Sequence, residues 1–499
     1  MASTTATAEG APTTNIIKDF DSDLASCYNR LQETFSRGHT KLIPWRKWQL
    51  KQLWWMIEDN QGKILNALTD DLGRHEMESR ASDLLGLKID ILEHIKHVEG
   101  WAATRPVPDA GFLFGRLGKA RIRMEPIGVV LIIGAWNFPF LLTLQPVIAA
   151  VAAGCCVIIK PSELAMNSER VMADLVASYL DQSAIRLVTG GPEETTKILK
   201  YRFDHIFFTG SAKVARFITA AAAQNLTPTT LELGGQCPAI ITKTANIDLS
   251  AKRIAAVKFQ NAGQICLSVN HVFADPSIYD QFLARLEYWT RTFAATGQMC
   301  HIINERNRDR LVNMLHQSRG RVIYCGDNNN IKSNEKTHLD AVIVADVSPS
   351  DAIMSEELFG PICPVIKATM EQAVVITNNL PRPLAIYIFS SDKSEMDRLQ
   401  DSTISGGVTI NDATMHAGVP NAPFGGVGDS GMGFYHGKYG FLAFTHQRTV
   451  VELPAWLDKL PEGRSNEGST GWLYIFIKIA FLAGSTLDRS FGLLLVLAG

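Results

Sequence analysis

The chain has 499 residues, 46% hydrophobic and 20% charged, with a formal net charge of -2. That length exceeds what one core sustains and calls for two or more lobes, while the near-zero charge removes any electrostatic case for a nucleic-acid partner. Eight cysteines, including the adjacent pair Cys155-Cys156, come with no C-x-x-C and no His/Cys cluster, so neither a disulfide framework nor a metal site is expected and a reducing compartment fits.

Met1 to Thr14 is Ala/Thr-rich, without the basic start or apolar core of a signal peptide, and is expected to be a disordered arm. Across residues 45–72, Leu50, Leu53, Trp54, Ile57, Ile64, Leu65, Leu68 and Leu72 recur at helical spacing, which predicts an amphipathic helix pair; a further helical stretch covers 79–101. The pattern then changes to short apolar runs at 129–133, 156–159, 205–208 and 229–233, separated by Ala/Leu-rich helical segments at 142–153, 168–180 and 212–223. Apolar strands alternating with helices predict a parallel, doubly wound sheet covered on both faces. A second set at 239–241, 322–324, 341–344, 364–366, 385–389 and 407–410 predicts a second α/β lobe.

Glu232, in Leu231-Glu232-Leu233-Gly234-Gly235, closes the first lobe, and Cys266, in Gln260-Asn261-Ala262-Gly263-Gln264-Ile265-Cys266-Leu267, lies near the start of the second. A thiol in a Gly/Gln-rich turn and a carboxylate in apolar sequence suggest a nucleophile and a base that the fold brings together. A lone Cys is more often a small buried hydrophobe; what decides is the company it keeps. Gly134-Ala135-Trp136-Asn137-Phe138-Pro139, Lys160-Pro161-Ser162-Glu163, Phe208-Thr209-Gly210-Ser211, Glu357-Leu358-Phe359-Gly360-Pro361 and Pro423-Phe424-Gly425-Gly426 follow in order. Gly426-Val427-Gly428-Asp429-Ser430-Gly431 matches the G-x-G-x-x-G dinucleotide pattern, but far from the first strand–helix units. It is expected to be a loop near the mouth of the site.

These blocks resemble the signatures of the NAD(P)-dependent aldehyde dehydrogenase superfamily, from about Leu24 to about Leu453. The stretch from Asn411-Asp412 through Met415-His416 to His436-Gly437-Lys438-Tyr439 is most similar to class 3 members, which include fatty aldehyde dehydrogenases and fungal enzymes that oxidise apocarotenoid aldehydes. The resemblance implies the aldehyde dehydrogenase fold: two doubly wound α/β lobes and a small oligomerisation hairpin. Residues 1–20 are then a free arm, 21–234 an NAD-binding domain with a bridging hairpin near 111–126, 235–435 a catalytic domain, 436–460 a return to the bridging region, and 461–499 a linker and tail.

Hydride loss from an aldehyde needs a tetrahedral carbon, which a thiolate supplies as a thiohemiacetal; hydride loss leaves a thioester for water to hydrolyse. Cys266 is the expected nucleophile, with a thiol pKa lowered by positive charge or a helix N-terminus. Glu232 is the expected base, its pKa raised by burial, and Asn137 the expected oxyanion donor beside the Cys266 backbone N–H. Lys160 and Glu163 follow a strand in an open α/β sheet, where ligands sit in the crevice. By resemblance they hold the adenosine ribose, and a carboxylate there favours NAD, with NADP the alternative. Phe208, Gly210 and Ser211 open a helix suited to a pyrophosphate. The resemblance places Trp136 in the cofactor set, Glu357 on the nicotinamide ribose and Phe359 by its ring. The chain departs from the family pattern at Gln236, where relatives have Lys, at Leu267-Ser268-Val269-Asn270-His271 and in a short 293–303 stretch. Asn270 and His271 are expected to be satisfied core residues rather than pocket groups.

Beyond Leu460, the polar linker Pro461 to Ser469 precedes apolar 472–483, broken only by Lys478, then a polar break and apolar 491–498. Neither piece reaches the ~20 residues of a spanning helix, and joining them would bury Asp488 and Arg489. An interfacial anchor is expected, at the cytoplasmic face of a membrane such as the endoplasmic reticulum; the alternative is a soluble cytoplasmic protein whose tail packs across a partner subunit. A homodimer oxidising a lipophilic aldehyde is the expected whole. A CoA-acylating dehydrogenase and a non-catalytic membrane scaffold are the competing functions.

Overall fold

The computed structural model describes residues 20–326 and 336–454; the arm and the apolar tail expected at the two ends lie outside the described residues. Helices Ile43–Glu58 and Gln61–Leu72 form the amphipathic pair, and Leu85–Ala102 follows a π-helical turn at Arg80–Leu84. Leu50, Leu53, Ile57, Ile64, Leu68 and Leu87 are wholly buried, because i, i+3, i+4, i+7 spacing puts them on one face. Gly73, at φ 61°, ends the second helix in the left-handed conformation that glycine adopts without cost.

Two short strands, β1 (Arg105–Pro106) and β2 (Arg121–Pro126), pair antiparallel. Segment 111–126 therefore supplies one strand and a π-helical turn, Gly111–Leu117, rather than both arms of a hairpin. The first large sheet contains β3 (Val129–Ile133), β4 (Cys156–Lys160), β5 (Ile185–Leu187), β6 (His205–Thr209) and β7 (Thr229–Glu232), all mutually parallel. Every residue of β3, β4 and β6 is buried, as expected when helices cover both faces. The second sheet contains β8 (Pro238–Ile241), β9 (His271–Ala274), β10 (Arg321–Tyr324), β11 (Val342–Ala345), β12 (Ile362–Lys367), β13 (Ala385–Phe389) and β14 (Gly407–Ile410). Its order is β10-β11-β12-β9-β8-β13-β14, parallel except for β10 against β11.

The chain then returns to the first lobe. β15 (Gly431–Met432) pairs antiparallel with β7, setting Gly431 opposite Glu232, and β16 (Thr445–Val450) joins β2. The first sheet thus reads β15-β7-β6-β3-β4-β5. Strand order reverses between β3 and β6, which makes the crevice beyond their carboxyl ends the ligand position of an open α/β sheet. Tyr435, Phe441 and Phe444 belong to the core of this first lobe.

Candidate active site

The segments after β3, β4, β6 and β7 all open on one edge of the first sheet. After β4, the Lys160 ammonium is 2% exposed as a residue and lies 2.7 Å from the Glu163 carboxylate. It also donates to the Pro161 carbonyl at 2.7 Å. After β6, the Phe208 ring lies against Gly210, where any Cβ would overlap it. Ser211 caps the helix Ala212–Gln224 by accepting from the Val214 N–H, and the other first-turn N–H groups have no partner within the helix. A carboxylate beside a lysine, with a glycine-opened helix start at the switch point, fits a dinucleotide. Trp136, after β3, meets Phe359 of the second lobe edge to face at 5.4 Å between ring centroids.

Glu232 ends β7 at 4% exposure, and neither carboxylate oxygen has a hydrogen-bond partner. Burial pushes its pKa well above the usual carboxylate range, because a dry site disfavours the charged form. The Gly210 N–H bonds the Glu232 carbonyl at 3.0 Å and the Leu233 N–H bonds the Ser430 carbonyl at 3.1 Å, so the backbone is pinned while the carboxylate is not. The Gly426–Gly431 motif is accordingly a turn against β7. A Cβ at Gly431 would overlap the Leu231 carbonyl, and one at Gly426 the Ser430 carbonyl.

Cys266 is partly exposed, in a loop entered through three consecutive left-handed residues: Asn261 at φ 49°, Ala262 at 52° and Gly263 at 72°. Its thiol pKa is raised, first by burial and then by Glu357, Cys237 and Glu232. Burial, and the acidic neighbours after it, raise the thiol pKa, the opposite of the lowered value that a reactive thiol requires. Glu357 is pushed up to about 7 by burial, and a Cβ at Gly234 would overlap both of its oxygens. A side chain at position 234 would force the Glu357 carboxylate to move.

Asn137 is 3% exposed and donates from Nδ2 to the Gln264 backbone carbonyl at 3.0 Å. One N–H of the amide is fixed on the nucleophile loop, two residues before the thiol, and the other remains for an incoming oxygen. Asn270 is buried, as expected of a core residue, and its Oδ1 accepts the Leu358 N–H at 2.9 Å, thereby setting the Glu357–Phe359 turn. His271 is buried with Nε2 unpartnered, its pKa lowered to about 3 by burial. Gln236 donates to the Met354 carbonyl at 2.8 Å.

Sequence reasoning missed Arg74, Asp83, Asn261 and Lys258. Arg74 and Asp83 are wholly buried, with Nη1 and Oδ2 at 2.5 Å, and Asn261 accepts from Arg74 Nη2 at 2.9 Å. Lys258 is 1% exposed, its pKa lowered to about 8 by burial. The one local signal was Asn261 two residues before Gly263, since Asn and Gly best tolerate the left-handed conformation found there. Among the described residues no group of His, Cys, Asp or Glu could hold a metal, all eight cysteines are free, and no helix is long and apolar enough to cross a membrane.

A thiol and a buried carboxylate at the crevice of a two-lobed α/β fold define a dehydrogenase that works through a covalent cysteine intermediate. The aldehyde dehydrogenase family model matches residues 7–450, and the chain belongs to that family. It is an NAD(P)-dependent aldehyde dehydrogenase, and its relatives lie in class 3. Aldehyde dehydrogenase family 3 member A2 of Rattus norvegicus is 37% identical, over 91% of this chain and 94% of that one. The beta-apo-4'-carotenal oxygenase of Neurospora crassa is 39% identical, over 85% and 80%. The substrate-bound structure of Staphylococcus aureus AldH superposes with a TM-score of 0.85 at 34% identity, over 91% of this chain and 99% of that one.

Proposed function

We propose that the chain oxidises a lipophilic aldehyde to its carboxylic acid, with Cys266 as nucleophile, Asn137 as oxyanion donor and Glu232 as base. The observation that carries this is Glu232: a buried carboxylate with no protein partner at either oxygen, near enough to Cys266 to raise its thiol pKa. A structural glutamate would be paired. The Cys266 sulfur adds to the carbonyl carbon as its proton passes to a base, and the oxygen is held by the second Asn137 N–H and the Cys266 backbone N–H. When bound, NAD(P) supplies the hydride acceptor. Glu232 then takes a proton from the water that attacks the thioester, releasing the acid and the Cys266 thiol. A hydrolytic base argues against CoA as acyl acceptor.

Residues 21–234 form the NAD-binding domain, Lys160 and Glu163 holding the adenosine ribose, Phe208, Gly210 and Ser211 the pyrophosphate, and Glu357 the nicotinamide ribose, with Trp136 and Phe359 beside it. Residues 235–435, which include the sheet from Pro238 to Ile410, form the catalytic domain. NAD is the favoured cofactor, since Glu163 opposes a 2′-phosphate; a rat relative at 38% identity, named as dimeric and NADP-preferring, keeps NADP as the alternative and supports a homodimer. The lipophilic substrate is supported by the apocarotenal named for the Neurospora relative, and the apolar sequence at 472–483 and 491–498 supports an anchor at the cytoplasmic face of a membrane.

Purified full-length protein given NAD and a panel of short, long-chain and polyene aldehydes is expected to yield NADH and free acid, fastest with the lipophilic members. NAD binding without NADH from any aldehyde would sink the reading, and acyl-CoA as sole product would replace it. Deleting 469–499 should release the protein from membranes and spare activity on short aldehydes. Full-length protein that stays in solution without detergent removes the anchor.

A further inference from the structure

We propose that Arg74 is a positioning residue for this reaction, tying the oxyanion donor of one lobe to the nucleophile loop of the other. The inference rests on the roles given above to Asn137 and Cys266. Arg74 follows the left-handed Gly73 that ends helix Gln61–Leu72, and none of its side chain is exposed. Its guanidinium is engaged in three directions. Nη1 lies 2.5 Å from Asp83 Oδ2, with Asp83 Oδ1 accepting the Leu141 N–H at 3.0 Å just after Asn137. Nε and Nη2 both donate to Asn261 Oδ1, at 3.1 and 2.9 Å. Nη2 also donates to the Asn137 backbone carbonyl.

Asn261 returns the connection. Its Nδ2 donates to the same Asn137 carbonyl at 3.0 Å and to the Gln264 carbonyl at 3.1 Å, and its N–H is bonded to Glu78 at 2.7 Å. The Gln264 carbonyl is the acceptor that fixes the Asn137 amide. Backbone and side chain of Asn137, and the loop that delivers Cys266, are therefore both set by one cation. Strand register does not do this, because Asn137 and Asn261 lie outside the strands and in different lobes. The left-handed run at 261–263 would relax toward ordinary backbone without such a hold. A planar fork with separate donors suits the task, and a lysine ammonium does not.

Arg74→Lys keeps a positive charge opposite Asp83 and loses the fork. We expect its kcat to fall about a hundredfold, the scale of losing an oxyanion donor, with the NAD dissociation constant within about twofold of wild type as evidence of an intact cofactor lobe. In an Asn137→Ala background the same change should cost no more than about threefold, because the group being positioned is already gone. Asn261→Ala, which leaves the Arg74–Asp83 pair whole, should repeat this pattern and serves should the lysine variant not fold. A kcat within about threefold of wild type, or equal losses in both backgrounds, overturns the proposal. If Asn137→Ala is crippled while Arg74→Lys and Asn261→Ala are not, only Arg74's role falls. If Asn137→Ala retains wild-type turnover, the assignment of Asn137 falls and this proposal with it.

Discussion

The two sides of the active site are built in opposite ways. On the nucleophile side, Asn137, Asn261 and Gln264 are fixed by hydrogen bonds from several directions around a buried Arg74–Asp83 pair. On the base side, both oxygens of Glu232 are buried with no partner at all. Holding a donor and a sulfur in place lowers the cost of reaching the transition state. Holding a base by hydrogen bonds to its charged form would depress its pKa and spoil it for taking protons. The saturated side gives geometry; the unsatisfied side gives basicity.

The largest effect should come from Cys266→Ala, which removes the atom that the saturated side exists to place. Turnover should be abolished while NAD binding, followed by fluorescence, is unchanged; steady-state NADH near wild type would remove Cys266 from the mechanism. Glu232→Gln keeps the volume and ends the basicity. Steady-state turnover should drop on the order of 10²–10⁴-fold, with a burst of NADH and accumulation of acyl-enzyme visible by intact-protein mass spectrometry. Because the Glu232 pKa is raised and the base works ionised, wild-type deacylation should fall as pH drops through that raised value. The glutamine variant should lack this acid limb, and an identical profile would assign the limb elsewhere.

Gly234→Ala tests the placement of Glu357, since its Cβ would meet both Glu357 oxygens and push that side chain aside. Displacing Glu357 should raise the KM for NAD on the order of tenfold or more, measured with aldehyde saturating, and an unchanged KM would detach Glu357 from the cofactor. The smallest effect concerns stability. A carboxyl whose folded pKa exceeds its unfolded value of 4.5 holds its proton more tightly when folded. Folding stability then declines as pH rises from the unfolded pKa to the folded one, and levels off above it. Glu232→Gln should therefore unfold at higher temperature than wild type, with the gap opening as pH rises. A gap independent of pH would mean that glutamine merely packs better.

What was legible in the sequence divides along the same line. Strands β3, β4, β6 and β13 stand out because continuous apolar runs survive burial on both faces, and Cys266, Glu232 and Asn137 stand out because their neighbours are distinctive. β9 does not, although it lies between β8 and β12 at the centre of its sheet. It is four residues long and follows Asn270, whose polarity suggests a loop or pocket until its bond to the Leu358 N–H is seen. Arg74 is invisible for a different reason. An arginine after a helix-ending glycine is ordinarily exposed, and its partners Asn137 and Asn261 are 63 and 187 positions away. Local pattern carries no information about contacts of that range.

The strand pairing of Gly431 with Glu232, and of β16 with β2, has a consequence for how the protein is made. The first lobe is not continuous in the chain: its last strands and the core residues Tyr435, Phe441 and Phe444 come after the whole second sheet. During synthesis from the N-terminus, the edge of β7 therefore stays open, and Glu232 lacks its enclosure, until the ribosome has passed the second lobe. Pairings this distant are slow to form and leave an exposed strand edge meanwhile. The second lobe, continuous from Pro238 to Ile410, can condense first and bring the closing segment back. Any chain ending short of β15 would carry the thiol and the carboxylate but not the dry chamber in which the carboxylate becomes a base.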